Sequence, residues 1–309
     1  MKILGIGNAI VDVICKVEDN FIEKHNLTKG LMKLIFDKIE FSNLLSNLKI
    51  EKTISGGSVA NSIVGLSQLG NKVGFIGKIS DDTFGIKYEE GLKKENVNFF
   101  YTKKKELLPT GTCLILVTPD SERTMCTFLG TAGKISKNDL DIKAIKESEI
   151  IFLEGYLWDE GDPKEAFEKA ISLSNNTAMS LSDKFCVDRH KSNFLNLVKN
   201  KLDLVFANEA EIMSLIDAKN FDEVIAFGKQ IKKHLIVTRG AKGAISIYNN
   251  EITEVDARKD LKIVDLTGAG DLFASGYLHG FINNFSQKEC LTKATEMSSK
   301  IIQQIGARL

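Results

Sequence analysis

Apolar residues in this chain fall in short unbroken runs separated by longer amphipathic stretches. The runs at 3–6, 73–76, 150–153, 202–206 and 235–237 are continuous rather than alternating. That is the pattern of parallel strands covered on both faces, since a half-solvated sheet alternates apolar and polar positions. Between the runs lie helical candidates at about 59–69, 83–95, 163–174, 209–216, 221–232, 271–284 and 288–304. Strand–helix alternation of this kind predicts an α/β fold built on a mainly parallel sheet.

Two regions break the rhythm. Residues 8–45 mix short polar and apolar pieces, and 98–130 reads as strands punctuated by Pro109-Thr110-Gly111 and Pro119-Asp120. Thr112 to Val117 is rich in β-branched and apolar residues, as a strand should be. These segments, about 10–45 and 98–130, are expected to form a small β-rich lid on a single domain spanning 1–309. No internal repeat, low-complexity tract or proline-rich linker divides the chain.

Composition narrows the partners. The 309 residues carry 41 Lys plus Arg against 41 Asp plus Glu. A balanced chain offers no basic field for nucleic acid or an anionic membrane. Arg is scarce: Arg123, Arg189, Arg239, Arg258 and Arg308 stand among many Lys, which makes each bidentate fork a position of interest. Cys15, Cys113, Cys126, Cys186 and Cys290 are scattered, with no pair at C-x-x-C spacing. They read as reduced thiols of a cytoplasmic protein, without a disulfide framework or zinc site. No apolar stretch reaches membrane-spanning length.

Four motifs carry candidate chemistry. The first is Asp265-Leu266-Thr267-Gly268-Ala269-Gly270-Asp271 at the head of an amphipathic helix. Small residues there leave backbone N–H groups uncovered at the positive end of the helix dipole, an anion site. Asp271, one residue further on, suits a base that takes a proton from an attacking hydroxyl. By spacing alone the same residues also describe a glycine-rich turn with a dipole-favoured Asp. No Gly-Lys-Ser/Thr follows, so this is not a Walker P-loop.

The second motif is Ser55-Gly56-Gly57-Ser58-Val59-Ala60-Asn61-Ser62, where Gly57 lets backbone approach a ligand and Asn61 can donate to a hydroxyl; a plain N-cap at Ser58 reads the same residues. The third, Ile6-Gly7-Asn8-Ala9-Ile10-Val11-Asp12, lacks the third glycine of a dinucleotide fingerprint, because Ile10 stands there; Asp12 is either a hydroxyl acceptor or a solvated turn carboxylate. The fourth, Asn208-Glu209-Ala210-Glu211, puts an amide and a carboxylate on one face of a first helical turn, where they serve as a capping box, as water-mediated Mg²⁺ ligands, or as both.

These four motifs, in this order, resemble the PfkB (ribokinase-like) carbohydrate kinases over nearly the whole chain, with Leu266 where Thr is commoner. Within that family the adenosine kinases are most similar, through Gly7 to Asp12, Gly56 to Ser62, Pro109 to Cys113 and Asn208 to Glu211. The resemblance implies a three-layer α/β/α domain and ATP-dependent transfer of phosphate to the 5′-hydroxyl of adenosine. It implies that Asp271 is the base, that Gly268, Ala269 and Gly270 form an anion hole, and that Arg123 reaches over the transferring phosphate. Asp12, with Asn8, Gly57 and Asn61, would hold the ribose; Ile10, Leu129 and Tyr156 would line the base pocket, with Leu157 where related kinases stack an aromatic. Asn208, Glu211, Thr238, Gly240 and Thr267 would border ATP, Glu211 holding Mg²⁺ through water and Asp265 lying where relatives hold K⁺. The acceptor stays open between adenosine and a free sugar such as ribose or fructose, and a nucleoside-binding regulator without catalysis is the third reading. A small-molecule substrate is the expected partner, with the protein a monomer or a homodimer.

Overall fold

The structure is a computed structural model that describes residues 1–158 and 161–309. Nine strands form one large sheet, in the order Glu251–Val255, Ala244–Tyr248, His234–Thr238, Leu204–Asn208, Thr177–Ser180, Ile150–Glu154, Ile3–Ile6, Val73–Ile76 and Asn98–Phe99. All neighbours are parallel except the first three strands, which pair antiparallel at one edge.

The continuous apolar runs have a direct explanation in this sheet. Successive residues face two separate cores. Ile3, Val73, Phe75, Ile150 and Phe152 belong to one, and Leu4, Ile6, Ile76, Ile151 and Leu153 to the other. Helices Ser58–Gln68, Ala269–Ile282 and Gln287–Ile301 cover the first face, and Asp162–Leu173, Lys184–Asn200, Glu209–Ile216 and Phe221–Ile231 the second.

Five strands form a second sheet, in the order Met32–Ile35, Arg123–Phe128, Gly111–Val117, Ile10–Lys16 and Ile50–Gly56. The observed boundaries of this lid differ from those expected. Asn98–Phe99 pairs with Gly74 and Phe75 as an edge of the large sheet, while Ile50–Gly56 runs antiparallel to Ile10–Lys16 in the small one. One face of the lid, through Val11, Val13, Leu114, Leu116 and Phe128, joins the main core beneath Phe41 and Leu44. The other carries Ile10, Cys113, Ile115 and Ala132, packed with Ile14, Val117, Met125 and Leu129.

Strand Ile3–Ile6 lies between Ile150–Glu154 and Val73–Ile76, so the strand order reverses there. In open α/β sheets the crevice beyond the carboxyl ends at such a point is where ligands bind. The chain leaves Ile6 through Gly7 and Asn8 and enters the lid at Ile10, which places the lid's inner face beside that crevice.

Candidate active site

Two helix N-termini converge on the crevice. Helix Ala269–Ile282 begins after Gly268, whose φ of 78° is left-handed and whose absent side chain matters: a Cβ would lie 2.7 Å from the Ala307 Cα. Helix Ser58–Gln68 begins after Gly57, at φ 101°, where a Cβ would meet the Asn8 carbonyl at 2.3 Å. The two helices are locked together through the Asp271 carbonyl, which accepts from the Ser62 and Ser275 hydroxyls, each at 2.9 Å.

That crossing presents the Asp271 carboxylate to both chains. Ser58 Oγ donates to Oδ1 at 2.7 Å, and Asn61 Nδ2 to Oδ2 at 3.0 Å. Each oxygen keeps a further lone pair for a substrate proton. Burial pushes the Asp271 carboxyl up to about 6, against the lowering pull of those two bonds and of Arg308. A carboxylate poised there is ionised at neutral pH yet basic enough to take a proton in a transition state.

At the helix terminus itself, the amides of Gly268 and Gly270 make no hydrogen bond among the described residues. The Ala269 amide differs from expectation: it donates to the Leu266 carbonyl at 3.2 Å, because the chain tightens into a turn before the helix. Two of the three amides expected as an anion hole are therefore free.

Asp12 stands on the inner face of the lid between Ile10 and Ile14. Burial among these side chains pushes its carboxyl up to about 7, and Arg308, Asp271 and Arg123 are the charges that act on it. The structure thus brings Asp12, Asn61, Gly57 and Asp271 together. Asn8, 4% exposed, turns its side chain to Glu154: its backbone N–H and Nδ2 both donate to Glu154 Oε1 at 2.9 Å. Val59 N–H donates to Oε2 at 3.0 Å.

Glu154 escaped the sequence reading. It is 1% exposed, and burial raises its carboxyl to about 7. It ties the turn after Ile6 to the start of helix Ser58–Gln68, so it fixes both sides of the crevice. The available signal was a carboxylate closing an otherwise apolar run at the carboxyl end of a parallel strand. Arg308 escaped as well, although its scarcity marked it: its Nε donates to Asn61 Oδ1 at 3.2 Å.

Arg123 Nη1 lies 2.6 Å from Asp265 Oδ2. Asp265 also accepts from Thr267 N at 2.9 Å, Thr267 Oγ1 at 2.7 Å and Gly306 N at 2.9 Å. A carboxylate neutralised by a guanidinium and pulled below the ordinary range by these bonds is a poor match for K⁺ while the pair holds.

The nucleotide candidates gather elsewhere along the same sheet edge. Asn208 pairs in register with Thr238 at the ends of adjacent strands, and Gly240 opens the turn that follows, at φ 56° with free space where a Cβ would stand. Asn208 and Glu211 form a reciprocal capping box: Asn208 N donates to Oε2 at 2.9 Å, Nδ2 to Oε1 at 2.6 Å, and Glu211 N returns to Asn208 Oδ1 at 2.9 Å. Burial, with Asp183 nearby, raises Glu211 to about 7. Among the described residues no group of three or more His, Cys, Asp or Glu gathers to cage a metal. That donor set fits a Mg²⁺ that arrives with nucleotide phosphates and keeps its waters.

The segment expected to line a base divides. Leu157 and Trp158 are each 2% exposed, and Trp158 packs edge-on against Phe167 and Phe194 in the second core. Leu157 is therefore no stacking surface. Tyr156 is 36% exposed, but its hydroxyl lies by Asp183 and Glu211. Ile10 and Leu129 do share the lid's inner face.

A three-layer sheet with a lid, a buried carboxylate at a helix N-terminus and two free amides beside it fit a ribokinase-like phosphotransferase that acts on an alcohol group. The chain belongs to the pfkB family of carbohydrate kinases, whose family model matches residues 32–309. It is similar to the adenosine kinase from Sinorhizobium meliloti, with 34% identity and a TM-score of 0.89 over 100% of this chain and 95% of that one. It is equally similar to a probable sugar kinase from Rhizobium etli, with 34% identity and a TM-score of 0.89 over 99% and 94% of the two chains. A 5-dehydro-2-deoxygluconokinase of Mesomycoplasma hyopneumoniae is 26% identical over 297 residues, covering 89% of this chain and 86% of that protein. No helix among the described residues is long and apolar enough to cross a membrane.

Proposed function

We propose that this protein is an adenosine kinase, transferring the γ-phosphoryl group of ATP to the ribose 5′-hydroxyl. The observation that carries the reading is the apolar inner face of the lid. Asp12, the proposed hydroxyl-binding carboxylate, lies beside Cys113 on the neighbouring strand, on the face that carries Ile10, Ile115 and Leu129. A flat purine gains by covering such a surface, whereas a polyol would leave its own hydroxyls unpaired against it. The structural likeness to the Sinorhizobium meliloti adenosine kinase supports the same choice.

In this reading Asp12 and Asn61 hold the ribose, and Asn8 and Glu154 keep the crevice in shape. Asp271 takes the proton of the 5′-hydroxyl as that oxygen bonds to the γ-phosphorus and the bond to the departing ADP oxygen breaks. The Gly268 and Gly270 amides receive the charge that develops on the transferring group. Arg123 exchanges Asp265 for phosphate oxygens, and Asn208, Glu211, Thr238, Gly240 and Thr267 border the nucleotide. Mg²⁺, held through water near Glu211, would neutralise charge on the phosphates.

A sugar or sugar-acid kinase is the second reading, favoured by the 5-dehydro-2-deoxygluconokinase and probable sugar kinase relatives. A coupled assay of ADP release with adenosine, ribose, fructose and 5-dehydro-2-deoxygluconate side by side decides between them. Turnover with adenosine at the lowest KM is expected. Turnover with a sugar and none with adenosine removes the adenosine reading and leaves the phosphotransferase intact.

A further inference from the structure

We infer that Arg308, from the C-terminal tail, is a positioning residue for the base: its guanidinium orients the Asn61 amide that holds Asp271 and places positive charge beside Asp271 and Asp12. The inference rests on the reading of Asp271 as the base.

The tail is built into the site at several points. After helix Gln287–Ile301 the chain turns at Gly306, whose amide donates to Asp265 Oδ2 at 2.9 Å. Ala307 packs on the glycine surface at Gly268. The Arg308 carbonyl accepts from Gln304 Nε2 at 2.8 Å, and the Leu309 carbonyl from Gln68 Nε2 at 3.2 Å. Backbone held on both sides of Arg308 directs its side chain inward.

The chemistry of the contact is one-way. Arginine only donates, so the oxygen of the Asn61 amide must face it. Arg308 Nε donates to Asn61 Oδ1 at 3.2 Å, which leaves Nδ2 to donate to Asp271 Oδ2 at 3.0 Å. The reversed amide would set an N–H₂ against the guanidinium and a carbonyl against the carboxylate. Arg308 therefore selects the one orientation of Asn61 that restrains Asp271 in its ionised form. Nη2 of Arg308 is buried and makes no hydrogen bond among the described residues.

The same side chain balances the local charge. Asp271 is faced by Ser58 and Asn61 from helix Ser58–Gln68, by Asp12 from the lid, by Glu154 from the sheet and by Arg308 from the tail. Burial raises Asp12, Asp271 and Glu154, and Arg308 opposes the rise at Asp12 and Asp271. Arg123 acts on Asp12 in the same sense.

The test compares Arg308→Gln, Arg308→Lys and Arg308→Ala with Asp271→Asn in the full chain. The acceptor is adenosine, or ribose should adenosine give no turnover. Arg308→Gln is expected to lose about tenfold to a hundredfold in kcat, the scale of a misplaced catalytic group. KM for ATP should stay within about twofold, because Asn208, Glu211, Thr238 and Gly240 lie elsewhere. The acid limb of kcat/KM should move up by about one pH unit as Asp271 loses its positive neighbour. Arg308→Lys should keep the limb in place while losing kcat, and millimolar guanidinium should restore part of the Arg308→Ala activity. A folded Arg308→Gln with wild-type kcat and acid limb overturns the inference. So does a loss of kcat with an unmoved limb and no guanidinium rescue, which marks a structural contact, or a rise in turnover on truncation after Ile305, which marks a plug. Should Arg308→Gln not fold, Arg308→Ala, with and without guanidinium, carries the limb comparison. Near wild-type turnover in Asp271→Asn removes the base itself; an inactive Asp271→Asn beside a silent Arg308→Gln removes only the role of Arg308.

Discussion

Arg123 on the lid and Asp265 on the loop before helix Ala269–Ile282 form an ion pair at 2.6 Å, with side chains 19% and 11% exposed. They lie 142 residues apart in sequence, and no ladder joins the strand Arg123–Phe128 to that loop. The pair tethers the first residue of that strand to this loop, and we predict that it acts as a latch on the lid. Removing one partner of a largely buried pair strands the other charge, at a cost of up to about 3 kcal/mol. Arg123→Ala should therefore open the lid, speed amide exchange across 111–128, and lower kcat/KM by at least about tenfold if Arg123 also meets phosphate. Arg123→Lys should restore little, since it lacks the planar fork. Unchanged exchange in Arg123→Ala would show that the latch does not hold the lid.

Asp271→Asn separates chemistry from binding. The amide keeps the shape and one acceptor for Ser58 or Asn61 but cannot take a proton. Turnover should fall by several orders of magnitude while acceptor and ATP still bind by calorimetry. In the wild type, activity should fall as pH drops through about 6, where the Asp271 carboxyl gains its proton. An acid limb absent down to pH 5 would rule out this carboxylate as the titrating base.

The same cluster dictates how stability responds to pH. Burial raises Asp12, Glu154 and Glu211 to about 7 and Asp271 to about 6. Between the ordinary carboxylate range and these values the folded protein binds more protons than the unfolded chain, so stability falls as pH rises. Ion-paired carboxylates such as Asp265 and Glu209 are held low and act oppositely, losing their contribution only at stronger acid. Tm should therefore peak at mildly acidic pH and decline from about pH 5.5 to 8. Asp271→Asn should soften that decline, its Tm gain being larger at pH 8 than at pH 5. A Tm that climbs steadily across this range would contradict the buried cluster.

Much of this was legible in the sequence because it rests on local signals. The unbroken runs reported a sheet covered on both faces, and the glycines at 57 and 268 reported helix starts with special backbone. Other elements lacked such a signal. Helix Lys184–Asn200 is strongly polar and kinks at His190, whose φ of −117° is not helical. Strand Thr177–Ser180 is too short and small-sided to stand out. Site residues divide along the same line. Asp12, Asn61 and Asp271 sit in motifs, whereas Glu154 and Arg308 act through contacts 95 and 247 residues away, with Val59 and Asn61. In sequence, an aromatic at a strand end such as Trp158 serves a core as well as a base pocket, and only its packing on Phe167 and Phe194 decides for the core.

Glu154→Gln isolates what that buried carboxylate does. Two effects oppose each other. Neutralising a carboxyl that burial has pushed up to about 7 removes a desolvation penalty. Yet all three of its contacts are with donors: Asn8 N and Asn8 Nδ2 at Oε1, and Val59 N at Oε2. A Gln carries one acceptor oxygen, so if Oε1 keeps both Asn8 bonds, its own N–H₂ meets the Val59 N–H. An unmet buried donor costs about 1–3 kcal/mol, more than a neutral side chain recovers. The substitution should therefore lower Tm, loosen the start of helix Ser58–Gln68, and raise KM for the acceptor more than KM for ATP, because Asn8 and Gly57 face the acceptor side. Glu154→Gln with a raised Tm and an unchanged acceptor KM would mean that relief of the desolvation penalty outweighs the lost acceptor and that the charge of Glu154 does not hold the crevice in shape.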